Sequence, residues 1–152
     1  MNYDGGEAQI ATVIELLSDY SSTNVKQGDW SLLSKGRSTA NVILVKDRPS
    51  EGVMNTMGGG KQWTHYTRVE LYHLLKQNTY ETTYTNHLAA VETLVNKIEQ
   101  YRHLNDSDIV VDADVITVTE PQRRWENDNG PYFIATNIIV EWIEMEDISY
   151  LD

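Results

Sequence analysis

The pattern of apolar and polar positions divides the chain into two helical and four extended segments. Residues 7–20 set Ile10, Val13, Ile14 and Leu17 three and four apart, the spacing of one helical face. Gly5-Gly6 reads as a flexible lead into that helix, and the polar run from Ser18 to Asn24 as its end. Gly28-Asp29-Trp30 then opens an irregular connection, in which Trp30, Leu32 and Leu33 are candidates to cover one end of the core. Asn41-Val42-Ile43-Leu44-Val45-Lys46 is a β-branched run stopped by Asp47-Arg48-Pro49, which predicts a strand. Residues 49–64 hold four glycines and no sustained period, which predicts a long flexible loop. Alternation returns over 66–76, with Val69, Leu71, His73 and Leu75 on one side of a second strand. The clearest helix spans 85–104, where Leu88, Val91, Leu94, Val95, Ile98 and Tyr101 form a stripe.

The polar run 105–108 breaks that helix. Ile109-Val110-Val111 and the segment 114–119 follow as one bent strand, and a polar turn region over 120–131 leads into a last strand over 132–143. Ile134, Ile138, Val140 and Trp142 share one face of it. The order α-β-β-α-β-β predicts an α+β fold: a mainly four-stranded antiparallel sheet with two helices on one face and a long loop between the first two strands. A chain of 152 residues fits a single domain over 1–152, with a flexible loop at 49–64 and an acidic C-terminal hairpin at 109–146.

Charge changes this picture in one respect. The formal net charge is −11, and the excess is concentrated: residues 1–104 carry 10 basic and 11 acidic side chains, residues 105–152 carry 2 and 12. Such a surface repels phosphates, so nucleic-acid binding by backbone neutralisation is not expected. The absence of cysteine excludes disulfides, thiolate metal sites and cysteine nucleophiles. No apolar run approaches the roughly 20 residues a spanning helix needs, and Met1 to Glu7 lacks a basic segment followed by an apolar one. Folding in a cytoplasm, without membrane contact, is the expectation.

The search for chemistry assigns no catalytic, cofactor-binding or metal-ligating residue. The histidines at 65, 73, 87 and 103 lack the spacing of a helical zinc site. His73 reads as a packed strand residue, His87 and His103 as helix-surface residues. Glycines 58–60 and Lys61 lack the following Ser or Thr and the helix of a phosphate loop. Asp112 and Asp114 share one side of a strand and are candidates for a divalent ion, although a solvated acidic edge fits them better. An acid-rich, metal-dependent enzyme is therefore a weaker reading than a protein built for contacts. Arg123, Arg124 and Trp125 form a basic and aromatic cluster at the predicted hairpin tip, and Met54, Met57 and Trp63 put apolar side chains on the predicted loop. These six are the candidate subunit-interface residues.

In its order of elements the chain resembles the tail-terminator and neck proteins that join head to tail in long-tailed bacteriophages. The likeness rests on the first helix, the Val42–Val45 strand ending in Arg48-Pro49, the strand Arg68-Val69-Glu70-Leu71-Tyr72, the helix 85–104, and a hairpin closing on Val140-Glu141-Trp142. The resemblance implies a virion protein, made in the host cytoplasm, that forms a ring, commonly a hexamer. Such a ring stops polymerisation of the tail tube and joins it to a neck or head-completion protein. It also implies a lumen through which DNA passes without specific binding, for which Asp112, Asp114, Glu126 and Asp128 are the candidate lining acids. Another head–tail connector ring, such as a head-completion or stopper protein, is the nearest alternative, and a small adaptor module a more distant one.

Overall fold

A computed structural model describes residues 1–28, 41–55, 60–75, 80–104, 108–125 and 132–147. Helix α1, Tyr3–Glu15, begins four residues before the apolar face suggests, because Asn2 caps it: its Oδ1 accepts from the Gly5 N–H at 3.0 Å. Gly5 and Gly6 are therefore inside the first turns and not a lead-in. Gly6 is there for space, since a Cβ would fall inside the ring of Trp142 at Cη2 and Cζ3. Ile10, Val13 and Ile14 are fully buried.

The strands are β1 (Val25–Gln27), β2 (Asn41–Lys46), β3 (Glu51–Asn55), β4 (Gly60–Leu74), β5 (Val110–Val118), β6 (Gln122–Trp125) and β7 (Tyr132–Asp147). Helix α2, Tyr80–Gln100, lies between β4 and β5. The spine of the sheet is the antiparallel pair β4 and β7, which stay in register from Gly60 opposite Asp147 to Leu74 opposite Phe133. On the free side of β4, β2 pairs residues 67–72 and β3 pairs residues 60–64. On the free side of β7, β5 pairs residues 138–144 and β6 pairs residues 132–135. Each flank is thus one lane cut in two, and both cuts contain a proline, Pro49 and Pro121. A proline lacks the N–H a ladder needs, so pairing stops there and resumes beyond. Short β1 runs parallel to β2 at the edge.

These facts overturn the expected four-stranded antiparallel sheet in the order α-β-β-α-β-β. The sheet is seven-stranded and mixed, and the order is α-β-β-β-β-α-β-β-β. The run 49–64 is not one loop: beyond Pro49 and Ser50, β3 and the start of β4 occupy its described part. Its glycines disguised two strands whose pairing comes from β4 and β7 rather than from local propensity.

Both helices contribute to one core. Ile10, Val13 and Ile14 of α1 and Val91, Leu94 and Ile98 of α2 close over Val42, Leu44, Val69, Leu71, Ile138, Val140 and Trp142. The buried stripe of α2 is 87, 91, 94 and 98, with His87 in the place expected of Leu88, which is 41% exposed. Ile43, Tyr72, Phe133 and Ala135 form a smaller buried cluster from the opposite side chains of the same strands.

Candidate functional site

The six interface candidates separate into different environments. Met54 lies on β3, 52% exposed, next to Val53 at 66%. Met57 lies outside the described residues. Trp63 is a β4 residue, half-buried and stacked parallel to His65 with centroids 6.2 Å apart, and Lys61 places its ammonium 4.2 Å from the Trp63 ring centre. Its indole N–H is buried and has no partner among the described residues. Arg123, Arg124 and Trp125 are not at a tip but in β6, paired with Ile134, Phe133 and Tyr132. Alternation along β6 sends the two arginines to opposite faces. Arg123 sits 4.6 Å over Tyr80, the first residue of α2. The side chain of Trp125 lies outside what is described.

Arg124 joins a polar network on the face away from the helices. Its guanidinium donates to the Tyr72 hydroxyl and lies 3.8 Å from Glu70 Oε1. Tyr72 donates to Glu70 Oε1 at 2.7 Å, Arg68 Nε donates to Glu70 Oε2 at 2.6 Å, and Arg68 also reaches Asp47 at 3.5 Å. Burial, with Glu70 alongside, pushes the Tyr72 hydroxyl well above its ordinary pKa. A cleft of about 280 Å³ opens here between Arg68, Glu70, Gln122, Arg124 and Asn137.

Of the acids assigned to a lumen, Glu126 and Asp128 lie outside the described residues. Asp112 and Asp114 are both in β5, yet they do not form an ion site. Arg102 donates to both oxygens of Asp112, at 2.9 and 3.1 Å, and these bonds hold that carboxyl below the usual range, while Asp114 stays exposed. Among the described residues no cluster of three or more His, Asp or Glu side chains is placed to hold a metal.

Two buried polar groupings were not anticipated. In the first, Ser50 Oγ lies 2.6 Å from His65 Nδ1, and His65 Nε2 lies 2.9 Å from Glu144 Oε1. Both Glu144 oxygens also accept from the Asn2 backbone N–H, at 3.0 and 2.8 Å. His65 is fully buried among Trp142, Tyr3 and Trp63, and that burial lowers its pKa against the opposing pull of Glu144. Alongside, Thr67 Oγ1 accepts from the Trp142 indole at 3.0 Å and meets the Tyr3 hydroxyl at 2.9 Å.

In the second grouping His73 and His87 bring their Nδ1 atoms to 2.7 Å, and His87 Nε2 meets Thr136 Oγ1 at 2.7 Å. His87 is wholly buried, contrary to its expected place on the helix surface. Burial drives both imidazoles down to about 4. The signal for this pair was the position of His73 among Val69, Leu71 and Leu75, on the side of its strand that faces the core.

No family model matches the chain, and a search of curated proteins returns no match. No helix among the described residues is long and apolar enough to cross a membrane.

Proposed function

We propose that the protein is a structural ring subunit at the head-proximal end of a long-tailed phage tail. There a hexamer would cap the tail tube against further growth and offer its other surface to a neck or head-completion protein. The observation that carries this reading is the outer edge of the sheet. Among the described strands β5 pairs with β7 alone; at its start the Val111 carbonyl accepts from His103 Nδ1 at 2.7 Å, and farther along Ile116 and Val118 are 42 and 45% exposed. The stretch beyond Val111, a sheet edge that carries aliphatic side chains, is of the kind that serves as a template for a second chain and is a liability in a monomer. Val53 and Met54 on β3 make a different exposed apolar patch, on the other flank of the β4–β7 spine. Contact between unlike surfaces is heterologous, and such contacts build rings when the rotation closes.

Charge supports the same assignment. A net charge of −11 with Asp114 exposed suits a wall past which DNA slides without tight phosphate contacts.

Native mass spectrometry over a concentration series, with and without isolated tail tubes, tests the proposal. A sixfold species, alone or on tubes, supports tail termination, and Ile116→Lys with Val118→Lys then depletes that species without altering unfolding of the monomer. A twelvefold species moves the protein to the head side of the neck as a completion or stopper ring. A monomer indifferent to tubes overturns the proposal.

A further inference from the structure

We propose that Ser50 is a polarised nucleophile, held by His65 and Glu144, that accepts the acyl group of a small activated ester. This goes beyond the ring reading and does not depend on it.

The proton positions follow from the contacts. Glu144 accepts the single Asn2 backbone N–H, shared between its two oxygens, and meets His65 Nε2 at Oε1, and a carboxylate only accepts, so Nε2 carries the hydrogen. Burial keeps the imidazole neutral, which leaves Nδ1 bare. The Ser50 hydroxyl therefore donates to Nδ1, at a short 2.6 Å. A hydroxyl bonded to a base that is itself oriented by a carboxylate is the arrangement that activates serine. The ring nitrogens are exchanged relative to the usual serine-hydrolase order, but either nitrogen accepts a proton equally well once the other is held.

Access fits the assignment. His65 is fully buried and Glu144 nearly so, while Ser50, in the connection between β2 and β3 behind Pro49, is half-buried and the most exposed member of the chain of contacts. Trp142, Trp63 and Tyr3 wall the imidazole, with Trp142 closest at 4.2 Å between ring centres, and keep it in one orientation. In the step, Oγ bonds to the ester carbonyl carbon as the ester C–O bond breaks. The leaving alcohol departs as its anion, and the Ser50 proton passes to Nδ1, giving an imidazolium paired with Glu144. Lys46 opposes that charge on His65, so only esters with good leaving groups should react.

The test uses the full chain and p-nitrophenyl acetate, with acetylation mapped by peptide mass spectrometry. Acetyl is expected on Ser50, absent in Ser50→Ala and formed at least about 10-fold more slowly in Glu144→Gln, a part of the roughly 10²–10⁴-fold that the positioned base itself supplies. No acetyl on Ser50, or a rate unchanged in Glu144→Gln, overturns the proposal. Because Glu144→Gln also removes a buried charge, Ser50→Cys supplies a second reading in which His65 and Glu144 are intact. Its alkylation by iodoacetamide should slow less than 10-fold between pH 8 and pH 6, where an ordinary thiol of pKa about 8.5 slows roughly 80-fold. Slowing of the ordinary size overturns the proposal as well.

Discussion

Mild acid should weaken the fold through the His73–His87 pair, and the size of the effect follows from its geometry. One imidazole carries the proton on Nδ1 and the other accepts it, so a second proton between the rings leaves two donors facing each other at 2.7 Å. Both groups fall from 6.5 in the unfolded chain to about 4 in the fold. The folded state thus binds fewer protons. The stability these groups contribute is fully present above pH 6.5 and is lost as pH falls toward 4. At pH 5 linkage gives a loss of about 2 kcal/mol for one imidazole and at most about 4 kcal/mol for the pair, which titrates as a unit. That is a large share of the roughly 5–15 kcal/mol that holds a domain together. Urea unfolding followed by circular dichroism at pH 7 and pH 5 measures it in the natural chain and in His73→Phe with His87→Leu. His65 is common to both proteins, so its titration cancels. The double variant should lose about 2–4 kcal/mol less than the natural chain on acidification, whatever its starting stability. Equal losses in the two proteins would refute the reasoning.

Two further substitutions test the packing. Gly6→Ala gains about 1 kcal/mol of helix propensity but drives a methyl into the Trp142 ring, and overpacking of roughly 1–3 kcal/mol should prevail; a denaturant midpoint at or above that of the natural chain would show that the ring gives way freely. In the open-face network Glu70→Ala should cost about 3 kcal/mol, because Arg68 and Tyr72 both lose a buried acceptor, whereas Arg124→Ala should cost below about 1 kcal/mol, its side chain being 45% exposed. Equal losses in the two variants, again by denaturant unfolding, would mean that Glu70 is not the hub.

What could be read in advance depended on where each element draws its stability. Strand β2 was legible because Val42 to Val45 is apolar on both faces and buried on both. The middle of α2 was legible from Val91, Leu94 and Ile98, but its first buried position was not. His87 occupies a core site only because His73 and Thr136 satisfy its nitrogens, and no period reveals a partner on another element. Strands β1, β3 and β6 read Val25-Lys26-Gln27, Glu51-Gly52-Val53-Met54-Asn55 and Gln122-Arg123-Arg124-Trp125. These are short and polar or glycine-containing, and they are strands because β2, β4 and β7 present ladders to them. The grouping of Ser50, His65 and Glu144 was invisible for a related reason. It is assembled by the register that sets His65 opposite Trp142 and by the break in pairing at Pro49.

The spine of the sheet also dictates an order of events during synthesis. Strand β7 is the middle lane between β4 and the β5–β6 flank, yet it leaves the ribosome after every other strand of the sheet. Until it arrives, the β5–β6 flank has no ladder to join and the apolar faces of both helices are uncovered by Ile138, Val140 and Trp142. Helix α1 waits longest, since Gly6 and Asn2 near the start of the chain take their partners from Trp142 and Glu144 near its far end. Contacts so distant in sequence make folding slow relative to helical proteins of this length. They also delay the β5 edge, which has no ladder to rest on until β7 has joined β4.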